Sequence, residues 1–170
     1  MDFMMSERQK HWRDRVIKFM EAHVYPNEKT YDAQMEAFGQ NRWQVVQILE
    51  DLKKKAKAEG LWNLFMPPNK EHDTPEYRGA GLTNLEYALC SEQMGRVVWG
   101  SEVFNCSAPD TGNMEVFHRY GTAEQKAKWL KPLMAGEIRS ALGSDLPMTI
   151  ATLQRGSPTP EDHHLRPLMT

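Results

Sequence analysis

The chain has 170 residues, 40% of them hydrophobic, with 21 basic against 23 acidic side chains and a formal net charge of −2. That length suits one domain with a buried core, and a charge so near neutral excludes the strong basic footprint of a nucleic-acid-binding protein. No apolar run approaches the roughly 18 residues that suggest a membrane span, and the two cysteines, Cys90 and Cys106, form no CxxC motif, so reduced thiols in a helical core are expected.

The opening MDFMMSERQKHWRDR lacks the apolar region of a signal peptide. Its positive charge and amphipathic pattern suit a transit peptide, but Asp2, Glu7 and Asp14 argue against one, and the pattern runs straight into a core helix. Ser6 is a good N-cap, and Trp12, Val16, Phe19, Met20 and His23 recur at spacings of three and four, one face of a helix. Pro26 ends or bends it. Asn27 to Phe38 reads as a weaker helix, with Tyr31, Met35 and Phe38 as apolar contacts and Gly39 as its stop. A second strong helix is expected from about Arg42 to Glu59, with Trp43, Val46, Leu49, Leu52 and Ala56 on one face. Lys53, Lys54, Lys55 and Lys57 read as its solvated side, favourable near the negative end of the helix dipole; an anion site is the lesser reading. Gly60 is the stop.

Residues 61–68 are apolar, short and ended by prolines, and Asn69 to Gly81 is a polar surface loop. Gly79-Ala80-Gly81 lacks the third glycine and the βαβ setting of a dinucleotide fingerprint. Thr83 and Glu86 form a capping box before a helix whose apolar face is Leu85, Ala88, Leu89 and Met94, ending at Gly95. Val97 to Val103 reads as a buried loop or short helix. Pro109 then opens a helix with Met114, Phe117 and Tyr120 on one face and Gly121 as its left-handed end. Thr122 and Gln125 form another capping box, Ala127, Leu130 and Met134 the next buried stripe, and Gly136 closes that helix.

The run from Arg119 to Lys126 (RYGTAEQK), continued by Trp129-Leu130-Lys131-Pro132-Leu133 and Gly136-Glu137, resembles the end of the N-terminal domain of acyl-CoA dehydrogenases. Phe104-Asn105-Cys106 and the run from Ala108 to Glu115 are similar to the subgroup called acyl-CoA dehydrogenase family members ten and eleven. The resemblance covers roughly residues 1–140 and rests on the order of helices and loops rather than on one short motif. It implies an all-α fold, about five or six helices in an irregular antiparallel bundle over 1–140, followed by a divergent, disordered tail over 141–170. In the family, a glutamate removes the α-proton of an acyl-CoA while the β-hydrogen passes to FAD as hydride, a step of fatty-acid β-oxidation. The catalytic glutamate and most flavin contacts lie in family domains that the resemblance does not reach. This chain alone is therefore expected neither to retain FAD nor to catalyse. The resemblance also implies a place in the mitochondrion, with peroxisome or cytoplasm as alternatives. Asn105, Asp110, Thr111, Asn113 and Met114 match the segment that approaches the acyl pocket, and helix capping explains Asp110 and Thr111 at least as well. The helix after Thr83 resembles the one beside the fatty-acyl pocket, and the place of residues 61–68 carries a buried loop beneath the bundle.

From Ala141 the character changes. GSDLPMTIATLQRGSPTPEDHHLRPLMT has four prolines, few large apolar residues and no helical period, which predicts disorder. The family's threonine-glutamate-proline flavin loop has no match; Gly143-Ser144-Asp145 echoes only its ending, and the tail reads as the product of an alternative exon or shifted frame. His163-His164 after Glu161-Asp162 suggests a metal, but adjacent histidines need a scaffold to converge, so a solvated tail is favoured. His23 and His118 read as core or boundary residues, Glu50 and Asp51 as an exposed pair, and Asn105-Cys106-Ser107 as a chance sequon. No nucleophile motif is present. A second class of function is a helical module that docks on a full-length subunit through an exposed apolar patch of Trp99, Val103 and Phe104. A third is a truncated product without a role.

Overall fold

The computed structural model describes residues 4–41, 44–68, 75–142 and 150–154. They are helical apart from one pair of strands, so the all-α expectation holds. Two compact units divide the chain: Met1–Pro68 with Gly79–Cys106, and Asn69–Arg78 with Ser107–Thr170.

The first unit begins with α1, Glu7–Phe19. Ser6 caps it as expected, and Gln9 completes a capping box: the Gln9 amide donates to Ser6 Oγ at 3.2 Å while Gln9 Oε1 accepts from the Ser6 amide at 2.8 Å. A π turn, Met20–Val24, and a 3-10 turn, Tyr25–Asn27, then carry the chain around Pro26 into α2, Glu28–Ala37, so the proline bends the helical path without ending it. Val16, Phe19, Met20 and Val24 are fully buried. Helix α3 spans Gln47–Ala58 and starts later than expected. Val46 is extended there, and the Ile48 amide is answered by Gln34 Oε1 of α2 at 3.0 Å. A long-range side chain supplies this cap, which no local pattern announces. Leu49, Leu52 and Ala56 are buried as expected, while Trp43 lies outside the described residues.

Lys53 departs from its expected solvated side. It is 4% exposed, and its ammonium meets Glu50 at 2.9 Å and Glu102 at 2.7 Å. Glu102 belongs to α5, Gly100–Val103, so this ionic cluster ties α3 to α5. Lys54, Lys55 and Lys57 do stay exposed.

Helix α4, Asn84–Met94, carries the expected Thr83/Glu86 box. Its buried side is Glu86, Cys90, Gln93 and Met94, however, and Leu85 and Ala88 face solvent. The reason is Glu86, whose second oxygen pairs with Arg8 Nε at 2.8 Å, so α4 turns its carboxylate side toward α1. The expected apolar patch at Trp99, Val103 and Phe104 is not formed. Val103 and Phe104 are fully buried, Phe104 against Phe19 at 5.2 Å between ring centroids, and Trp99 stacks on Tyr31 at 4.6 Å. Leu61, Leu64 and Met66 form the expected buried loop.

In the second unit, α6 spans Asp110–Tyr120, and α7 (Ala123–Gln125), a π turn (Lys126–Leu130) and α8 (Lys131–Ala135) form one continuous helical run. Met114, Phe117, Leu130 and Leu133 make its apolar core. His118 is buried, whereas Tyr120, expected on the same face, is 78% exposed and Ala127 is also exposed. Gly121 is not left-handed, having φ −68° and ψ 142°. It is glycine for a different reason: a Cβ there would lie 2.6 Å from the Phe117 carbonyl oxygen. Gly136, at φ +71°, is the left-handed end that was expected.

Strand β1, Ile138–Leu142, pairs antiparallel with β2, Ile150–Gln154, with Ser140 opposite Thr152. The loss of helical period after Ala141 thus conceals a short strand at 150–154. The rest of the expected tail, His163-His164 included, lies outside the described residues.

Two stability measurements check this account. Thr122→Ala removes an acceptor whose Oγ1 receives the Gln125 amide at 3.2 Å, and should cost about 1 kcal/mol in urea denaturation. Lys53→Ala removes the buried ammonium that meets both Glu50 and Glu102 and should cost about 3 kcal/mol; a loss like that of an exposed lysine would show that the ionic cluster does not tie α3 to α5.

Candidate functional site

The segment singled out in the sequence, Asn105 to Met114, crosses from the first unit into the second. Asn105 sits in the first, at a left-handed φ of 55°, as does Asn63 at φ 53°. Asparagine tolerates this conformation better than most residues because its short amide bonds locally. Here the Asn105 side chain donates to Asn63 Oδ1 at 2.7 Å, and the Asn63 amide donates to the Phe104 carbonyl at 3.1 Å. Both asparagines are buried, so the apparent sequon presents no accessible acceptor. Asn63 was not anticipated; its partner lies 42 residues away.

In the second unit Pro109, not Asp110, occupies the cap position of α6 and supplies no side-chain bond; the peptide before it is cis. Asp110 is therefore the first helical residue, and capping does not explain it. Its carboxylate, 2% exposed, turns to β1: Oδ1 accepts from the Ser140 amide at 2.7 Å and from Ser140 Oγ at 2.6 Å, and Oδ2 accepts from Arg139 Nε. Asn113, one turn on, donates to Ser140 Oγ at 2.8 Å. The hydroxyl both gives and receives, so the buried polar atoms answer one another, as buried polar groups must. The structure thus brings Asp110 and Asn113 together through Ser140, while Arg139 joins at Asp110; neither Ser140 nor Arg139 is among the site residues expected from the sequence.

Met114 has no exposed surface and belongs to the core, and Asn105, Asp110 and Asn113 are buried too. Of the five expected pocket residues, Thr111 alone keeps accessible surface. Beside it Gly112 is exposed, and a Cβ placed there meets nothing within 4 Å.

Other groups bound the chemistry available. Burial pushes the Cys106 thiol up to about 12, against the donors Leu64 and Phe65 that oppose the shift, and pushes Cys90 up to about 11. Neither is poised as a nucleophile, because the thiolate is the reactive form. Among the described residues no group of three His, Cys, Asp or Glu side chains could hold a metal ion, and no helix is long and apolar enough to cross a membrane. Three of the helix starts, a position that attracts phosphates elsewhere, are closed by their own side chains: Ser6 and Gln9 at α1, Thr83 and Glu86 at α4, and Thr122 and Gln125 at the run from Ala123. The start of α6 carries the Asp110 carboxylate. Gly79, the other notable glycine, is a packing residue, since its Cβ would lie 2.5 Å from Met66.

The thiols give a direct check. At pH 8 both cysteines of the native chain should react with an aromatic disulfide reagent at least about a hundredfold more slowly than after denaturation; a fast-reacting native thiol would contradict the burial described.

Comparison with known proteins bears on this segment and on most of the chain. The family model for the acyl-CoA dehydrogenase N-terminal domain matches residues 6–137. Acyl-CoA dehydrogenase family member 10 of Mus musculus is 50% identical over 139 residues, which are 82% of this chain and 13% of that protein. Acyl-CoA dehydrogenase family member 11 of Gallus gallus is 48% identical over 128 residues, 74% of this chain and 15% of that protein. A solved structure from Mycobacterium abscessus, described as a candidate acyl-CoA dehydrogenase, superposes with a TM-score of 0.69 at 46% identity, covering 81% of this chain and 34% of the other. The chain spans about a seventh of the length of the two curated relatives.

Proposed function

The chain belongs to the acyl-CoA dehydrogenase family through its N-terminal domain, and from that premise we propose that residues 1–140 are the N-terminal helical part of an FAD-dependent enzyme that dehydrogenates acyl-CoA across the α and β carbons, in fatty-acid β-oxidation. The observation that carries the reading is the extent of the match: it runs from the cap of α1 to the edge of β1 and takes in every described helix. We propose the mitochondrion as its compartment on the same resemblance, with the peroxisome or cytoplasm as alternatives.

This chain's share of the site is one wall of the acyl region. Thr111 and the open backbone at Gly112 form its accessible surface, and Asp110 and Asn113 hold the first turn of α6 in place behind them. A wall without its opposite side buries too little of a ligand for tight binding. Three helix starts, those of α1, α4 and the run from Ala123, spend their donors on their own side chains, which supports the reading that this part of the chain does not hold the flavin diphosphate alone. No chemical step is therefore assigned to this chain.

Two experiments test the proposal. The purified 170-residue chain, mixed with FAD and desalted, should show no bound-flavin spectrum and no acyl-CoA-dependent reduction of an electron acceptor. Retained flavin with turnover would overturn the single-wall assignment. A chimera in which residues 6–137 replace the matching segment of the Gallus gallus relative tests the family role. Acyl-CoA dehydrogenation within about tenfold of the parent supports it, and a folded, flavin-loaded but inactive chimera counts against it.

A further inference from the structure

We infer that Asp110 is a positioning residue: it seals one edge of β1, holds that strand on the start of α6, and thereby decides which edge is left for pairing. Successive backbone amides of a strand point to opposite edges. The Ser140 amide is given to Asp110 Oδ1 at 2.7 Å, so the edge that carries it cannot also face β2. The pairing with β2 then falls to the other edge, through Arg139 and Ala141, whose partners in register are Leu153 and Ala151. An unpaired edge is a template for further strands, and here a carboxylate has taken its central donor.

The strand cannot easily shift along α6. Asp110 is 2% exposed, and a buried carboxylate needs its donors. Moving β1 by one residue would turn the Ser140 hydroxyl to the opposite face, which would strip Asp110 of one donor and Asn113 of its acceptor at once. The arrangement also uses Arg139 from the neighbouring position, so three donors from two consecutive residues converge on one side chain. Nothing in this depends on the enzymatic reading. It assigns the position of β1, where the family-like stretch ends at residue 137, to a single carboxylate 30 residues earlier.

The test is residue-resolved amide exchange by NMR on the full chain. In Asp110→Ala the amides of Arg139, Ser140 and Ala141 should exchange at least tenfold faster, with those of Val16, Leu52 and Met94 unchanged. Asp110→Asn keeps an oxygen able to accept the Ser140 amide and should restore slow exchange at Ser140 more than at its neighbours. Ser140→Ala keeps the amide bond and loses the hydroxyl, so an intermediate acceleration is expected; if Asp110→Ala does not fold, these two variants carry the test. Unchanged exchange at 139–141 in the variants, or an equal acceleration across α1 and α3, would overturn the inference.

Discussion

A polar group withdrawn from water has to be answered inside the protein, and among the described residues three such answers reach far along the chain. Lys53 gathers Glu50 and Glu102, Asp110 gathers Arg139 and Ser140, and Asn105 reaches Asn63. Each spans at least 29 residues for its distant partner, and each joins segments whose apolar contacts alone would allow sliding. Apolar burial supplies most of the stabilisation but little direction. Hydrogen-bonded charges supply direction, since a displaced partner leaves a desolvated group behind. The arrangement is therefore tight where the sequence is polar, at points chosen by pairing rather than by hydropathy.

That division explains what the sequence disclosed. Local devices were legible: the boxes at Thr83/Glu86 and Thr122/Gln125, the cap at Ser6, the stops at Gly60 and Gly136, and the stripe of Leu49, Leu52 and Ala56 all depend on neighbours within one or two turns. The all-α class followed from the helices they mark together with the family resemblance of residues 1–140. What escaped depends on distant partners. Lys53 reads as a solvated lysine until Glu102 is placed beside it, and Leu85 reads as a core residue until Arg8 draws Glu86 inward. The cap of α3 comes from Gln34, and the strand at 150–154 is defined only by β1.

The candidate site divides along the same line. The segment from Asn105 to Met114 was marked by resemblance, and its polar residues do converge, but on the protein itself. Asp110 and Asn113 are consumed in holding Ser140, and Met114 is core. The resemblance reaches to about residue 140, and Ser140 at that limit is the residue that two members of the candidate site hold. The exposed remainder, Thr111 and Gly112, is visible only once the buried faces of α6 are known.

The π turn at Met20–Val24 has a geometrical consequence of its own. An ordinary helix advances about 100° per residue, and a five-residue hydrogen-bonded loop fits one more residue into the turn. Every side chain beyond it is rotated in phase relative to those before. The stripe that begins with Val16 and Phe19 consequently passes to Val24, which is fully buried, while His23 swings to the margin, 3.6 Å from Glu59. The second π turn, at Lys126–Leu130, does the same for the run that ends at Ala135. Each behaves as an inserted letter that shifts the spatial reading frame of its helix. Chain length within these two turns is therefore constrained as strongly as residue type, because deleting one residue would re-aim everything that follows.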